Sequence, residues 1–243
     1  MAIADKLQII AENEQKVYEA GKKAEYDEFW DNFQKDTNGN FKTYLANFFT
    51  GSGWNDINFK PKYDIKPIGN AGGIFRQVSI QNLKKCLEDS SVVLDLSQAT
   101  NLEYAFAYTS VIRILPKLDF SSATSAASAF NSTSKLESIE ELKVSTTTKF
   151  SNSTFTNCGA LAHLIMTGEL ASDLNLQWSP LLDKESIISI LYARSLDVMS
   201  DVTLSLAAVN KAFETSEGAN DGSTSTEWED TLLDSPWGDV NLI

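Results

Sequence analysis

The sequence predicts an α/β protein: a short solenoid of stacked repeats, preceded by a helical arm and followed by an α/β cap. Three observations carry that prediction. A phrase recurs every 24 residues in the middle of the chain, the first 35 residues have the composition of a helix, and the recurrence ends after Gly168, where helix and strand signals alternate. The expected boundaries are 1–60 for the arm, 61–170 for the repeats and 171–243 for the cap.

The phrase is Leu94-Asp95-Leu96-Ser97-Gln98-Ala99-Thr100. It returns as Leu118-Asp119-Phe120-Ser121-Ser122-Ala123-Thr124 and again as Leu142-Lys143-Val144-Ser145-Thr146-Thr147-Thr148. Phe106 and Phe130 stand twelve residues after the first Leu of their copies, each followed by a Thr-Ser pair; in the third copy Phe155 comes thirteen residues on. Tyr63-Asp64-Ile65 is a degenerate earlier copy with Phe75 twelve residues later, and residues 82–88 lengthen that copy by an extra helical turn or two. A period near 24 lies in the leucine-rich-repeat range of roughly 20–29 residues. Apolar-x-apolar, as at Leu94 and Leu96, makes a short strand with Asp95 pointing outward. The Phe and the later Ile112 or Leu136 fill the rest of each coil. One coil cannot close its own core, so coils must stack.

The arm, residues 3–35, is rich in Ala, Glu, Lys and Gln and has no Pro. Ile3, Leu7, Ile10, Val17 and Ala24 fall on a heptad spacing that passes through Glu14 and Gly21. Such a stripe needs a partner, either a second copy of the helix or the body of the same chain. A homo-oligomer built through residues 3–35 is the expectation. Asp36-Thr37-Asn38-Gly39-Asn40 breaks the helix, and a short aromatic helix over residues 41–49 follows. In the cap, Asp183 reads as the N-cap of an apolar helix to Arg194, residues 202–206 read as a strand and 208–213 as a helix. Thr224-Ser225-Thr226-Glu227 has capping-box spacing, and residues 239–243 read as a last strand.

Charge excludes some classes. The formal net charge is -13, of which eight acids with no Lys or Arg fall in residues 214–243. That balance argues against nucleic acid, which needs clustered cations. Charged residues at the N-terminus and the lack of any run of about eighteen apolar residues predict neither a signal peptide nor membrane insertion. Synthesis in the cytosol is expected. Cys86 and Cys158, the only cysteines, read as buried small hydrophobes.

Catalytic motifs are missing. His163, the single histidine, lies among Leu161, Leu164 and Ile165 and reads as a structural polar tip. One His and two distant Cys leave no zinc set, and no metal or cofactor is expected. Gly69-Asn70-Ala71-Gly72-Gly73 lacks the spacing of a dinucleotide loop, and Asp36 to Asn40 imitates a calcium loop without its Gly or its closing Glu. Acid pairs are plentiful, but on adjacent coils they would line a flat surface instead of a cleft. The aligned positions Asp64, Asp95, Asp119 and Lys143 form an exposed row, the candidate ligand-binding face.

The repeats, best seen in Leu94 to Asn101, resemble the BspA-type leucine-rich repeat family over residues 63–168, with Lys143 departing from its Asp. Residues 1–23 and the segment Trp178-Ser179-Pro180-Leu181 are similar to the arm and cap of repeat proteins found among gut-bacterial prophage structural genes. The resemblance implies a non-catalytic structural, host-recognition or adhesion protein, phage-particle associated, that binds a protein or a surface glycan. A bacterial surface adhesin is the alternative. It supplies no catalytic residues.

Overall fold

The computed structural model describes residues 47, 49, 54–57, 59–197, 199–213, 231, 235 and 237–243, all within the unit Thr43–Ile243. Ile3, Leu7, Ile10, Val17 and Ala24, and the capping box at 224–227, lie outside the described residues. In chain order the elements are β1 (Gly69–Asn70), α1 (Leu83–Ser90), β2 (Ala99–Asn101), β3 (Ile114–Asp119), β4 (Ser138–Val144), β5 (His163–Gly168), β6 (Leu174–Leu176), α2 (Lys184–Tyr192), β7 (Val202–Leu204), α3 (Leu206–Phe213) and β8 (Val240–Leu242). They wind as a parallel β-solenoid of about 4 turns.

The 24-residue period is the pitch of that winding. In the sheet β3-β4-β5, Ile114 pairs with Ser138 and Leu118 with Leu142, all strands parallel. The extra residue that delays Phe155 persists to Ser138↔His163, and a bulge in β4 between Ile139 and Leu142 absorbs it. Gly168 closes β5 at φ +92°, where a Cβ would lie 2.0 Å from the Val144 carbonyl oxygen, so only glycine fits.

The core is a column of phenylalanines. Phe75, Phe106, Phe130 and Phe155 stack at centroid spacings of 5.6, 5.6 and 5.0 Å, and Phe49 extends the column 4.8 Å beyond Phe75. All five are buried. The four Phe found by their offset in the sequence are thus one structural position. Phe49, read as part of a helix, is a fifth, because Asn47 beside it adopts φ 54° and enters the coil geometry. Together with the Asn55↔Ser79 bridge this carries the coils back before residue 61.

A second regularity has no sequence signature. Two residues before the stacked Phe, Asn47, Gly73, Tyr104 and Ser128 have left-handed φ; two residues after it, so do Gln77, Tyr108, Ser132 and Asn157. The coils of Phe75, Phe106 and Phe130 therefore turn sharply on both sides of the ring. Three residues after the ring, Thr109 and Thr133 donate to the carbonyls of Phe106 and Phe130, at 2.9 and 2.6 Å. Cys158 takes the same place in the next coil, and its Sγ lies 3.2 Å from the Phe130 carbonyl oxygen. Both cysteines are buried and unbridged.

Helices replace strands at the ends of the main sheet. α1 packs beside β3, α2 beside β5 and α3 against α2. α1 is the insertion read at 82–88, with the Asn82 side chain accepting from the Lys85 N–H. Asp183 caps α2 as the sequence predicted, accepting from the Ser186 N–H at 2.8 Å. The strand and helix expected at 202–206 and 208–213 appear as β7 and α3, and β8 closes a third parallel sheet, β6-β7-β8. The winding itself does not stop at Gly168: Leu170 bridges Arg194, again 24 residues on. The sequence pattern fades there because α2 fills the place of a strand, and a helix has a different apolar period.

Two readings change. The phrase Leu94-Asp95-Leu96 is not a strand of the main sheet; Leu94 makes only an isolated bridge, to Ile65, and the strands proper lie over Ile114–Asp119 and its equivalents. That bridge also sets Asp64 opposite Val93, two residues short of Asp95, its expected partner in the row. The repeat alignment fails at this point because the register drifts in two steps, from Ile65↔Leu94 to Gly69↔Ala99 and again to Asn70↔Asn101.

Candidate functional site

Of the predicted row, Asp119 and Lys143 are brought together. They are register partners in β3 and β4, and Lys143 Nζ lies 2.9 Å from Asp119 Oδ2. Asp119 also accepts from the Ser121 N–H at 2.9 Å and from the Ser121 hydroxyl. Partial burial pushes its carboxyl up, but the hydrogen bonds from Ser121 and Lys143 hold it below the usual carboxylate range. Asp64 stands apart: Lys66 at 2.8 Å and the Val93 N–H both bind it, and they lower it as well. Asp95 accepts from the Ser97 N–H at 3.0 Å.

Asp95 does share a depression with the pair. Between residues 94–96 and 118–120 no bridge forms among the described residues, and the opening holds about 290 Å³ lined by Val93, Leu94, Asp95, Lys117, Asp119 and Lys143. A second depression of about 250 Å³ adjoins it under α1, beside Leu87, Pro116 and Glu140. Pro116 suits that place, since it has no N–H to offer a neighbouring strand.

The chemistry of this face is mutual neutralisation. Lys117 Nζ lies 3.0 Å from Glu141, Lys84 Nζ 3.0 Å from Glu140, and Arg113 pairs with Glu137. Arg113–Glu137, Lys117–Glu141 and Asp119–Lys143 each join residues 24 apart, so the solenoid pitch itself sets charge against opposite charge. The Lys117 ammonium and the Thr167 hydroxyl keep Glu141 low, as Asp119 is kept low. A glycosidase acid needs a raised pKa. These carboxylates are shifted the opposite way.

His163, at the start of β5, has Nδ1 2.8 Å from Asp183 Oδ2 and helps hold the α2 cap. Burial pushes the Cys158 thiol up to about 11, far from an activated nucleophile. Among the described residues no group of three or more His, Cys, Asp or Glu could hold a metal ion, and no helix is long and apolar enough to cross a membrane.

A different surface was missed by the sequence reading. Tyr104 and Tyr108 are 39% and 41% exposed, and their rings lie nearly parallel, 15° apart with centroids at 6.3 Å. The Arg76 guanidinium is 5.6 and 5.1 Å from the two centroids, within cation–π range of both. Both tyrosines occupy the left-handed positions that flank Phe106, at φ 53° and 59°. Gly73 and Asn47 accept such φ cheaply; a bulky aromatic does not. The only trace of this in the sequence is the spacing of the tyrosines, two residues either side of Phe106.

No protein-family model, no curated protein sequence and no solved structure matches this chain.

Proposed function

We propose that this chain is a non-catalytic recognition protein of the leucine-rich-repeat kind, a structural or host-recognition component of a phage particle that adheres through its solenoid surface. The observation that carries the recognition reading is the Tyr104–Tyr108 pair, an aromatic patch left in solvent on strained backbone. Observed strain at an exposed side chain points to use, since the fold alone would accept a smaller residue there. The charged face supports the non-catalytic part of the reading, because its carboxylates are paired and lowered. The 24-residue period supports the repeat class, and the resemblance of residues 1–23 and 178–181 supports the particle. The homo-oligomer through Ile3, Leu7, Ile10, Val17 and Ala24 belongs to the same proposal, as a source of avidity.

The test is direct. Fluorescently labelled full chain is added to a panel of intact Gram-positive and Gram-negative cells and read by flow cytometry. Saturable binding to a subset of them is expected. A chain that binds none of the panel is not a recognition protein of this kind. Detection of the chain in purified phage particles from the bacterium that carries the gene tests the particle assignment.

A further inference from the structure

The tyrosine pair sits at the head of a polar strip. Hydrogen bonds from Tyr104 N–H to Ala127 O and from Tyr108 N–H to Asn131 O place the tyrosines one coil before Ser128 and Ser132. The Ser132 N–H in turn bonds Thr156 O, which sets Asn157 in line one coil further. Along the strip, Ser132 Oγ donates to Asn131 Oδ1 at 2.8 Å and Asn157 Nδ2 reaches Ser132 Oγ at 3.4 Å. Asn157 is exposed, and its Oδ1 has no hydrogen-bond partner among the described residues.

Arg76 comes from the coil before the tyrosines, since the Phe75 N–H bonds Ala105 O and the Gln77 N–H bonds Ala107 O. A guanidinium 5.1 and 5.6 Å from two centroids that are 6.3 Å apart lies over one side of the pair; wedged between the rings it would be nearer to both. Arg76 Nε is buried with no hydrogen-bond partner among the described residues, so the rings are what hold this group. The other side of the pair is turned to the next coil, where the residues in line are the small Ser128 and Ser132.

We propose that this strip, Tyr104 and Tyr108 followed by Ser132 and Asn157, binds a neutral glycan, with a sugar ring laid against the tyrosines and its hydroxyls on the serine and asparagine. This rests on the recognition reading above and names its ligand class. The C–H face of a pyranose is flat and apolar and buries well on an aromatic ring, while its rim of hydroxyls both donates and accepts. Serine hydroxyl and asparagine amide offer the same two roles, at the coil spacing of a repeating chain. The net charge of -13 repels acidic polymers and favours an uncharged ligand.

The test uses the full chain and the same labelled-cell assay. Cells are first treated with periodate, which cleaves sugar diols, or with protease, which removes surface protein. Soluble neutral oligosaccharides of glucose, galactose and N-acetylglucosamine are added as competitors. The expected result is binding abolished by periodate, retained after protease, and reduced by at least one oligosaccharide. A Tyr104→Asn/Tyr108→Asn double variant should bind about tenfold more weakly and melt no lower than wild type, because Asn accepts left-handed φ. Binding that survives periodate, or that ignores both the competitors and the tyrosine substitutions, overturns the glycan inference and leaves recognition standing. Failure of the wild-type chain to bind any untreated surface removes both.

Discussion

The Leu164 N–H, at the edge of the main sheet, donates to the Ser186 hydroxyl at 2.8 Å, where a further strand would have offered a carbonyl. Ser189 completes the substitution: its hydroxyl accepts from the Met166 N–H at 3.1 Å, and its proton is shared between the Ser186 carbonyl at 2.8 Å and the Leu164 carbonyl at 3.2 Å. Helix α2 thus satisfies the edge of β5 with two side chains and stops the sheet from adding another copy. Removing both hydroxyls leaves buried backbone groups unpaired, a cost of about 1–3 kcal/mol each. Ser186→Ala/Ser189→Ala should lower the urea midpoint and promote self-association, read by light scattering. An unchanged midpoint and mass would show that the helix covers the edge by packing alone.

The phenylalanine column makes each ring a shared element of two coils. Phe106 touches both Phe75 and Phe130. Truncating it to Ala should cost about 3–5 kcal/mol, the range for a buried Phe. Phe106→Ala and Phe130→Ala together should depart from the sum of the singles, since the rings are in contact. Chemical denaturation of the two singles and the double variant measures the coupling, and strict additivity would contradict a packed column.

Backbone conformation gives a second handle on the coils. Ser128 sits at φ 55°, a region closed to β-branched residues. Ser128→Val should be less stable than Ser128→Gly by about 1–2 kcal/mol, the penalty for left-handed backbone in a residue with a Cβ. Equal melting temperatures for the two would show that the coil does not need this turn.

Acid should weaken the α2 cap and the Asp119 pair. Partial burial raises Asp183, but hydrogen bonds from Ser186 and His163 outweigh it and leave the carboxyl below its usual range. A carboxylate lowered in the fold stabilises fully above its unfolded value of about 3.9, and the gain is lost as pH falls through the folded value. Asp183→Asn keeps a competent N-cap and removes the titration. Its stability should therefore fall less steeply than that of wild type between about pH 5 and pH 2. Parallel curves from thermal melts across that range would refute the assignment.

Much of the winding was written in the sequence, because a solenoid repeats its contacts as it repeats its residues. The offsets that align Phe75, Phe106, Phe130 and Phe155 are the contacts of the ring column, and the extra residue before Phe155 is a bulge in the sheet. Local signals also sufficed for α1 and α2, since Asn82 and Asp183 cap their own helices. Where the decision was long-range, the sequence was silent. Asp64 lies two residues out of its expected row because the register between coils drifts from Ile65 to Asn70, and register is set by packing, not by the phrase. Tyr104 and Tyr108 look like ordinary core aromatics until φ turns them outward. Ser186 and Ser189 look like polar residues in a helix until β5 presents its edge. Sequence alone determined the pitch, the ring column and the helix starts, which depend on spacing and on neighbours three or four residues away. Tertiary structure decided which edges are closed and which side chains meet solvent, because those depend on what the next coil leaves unfilled.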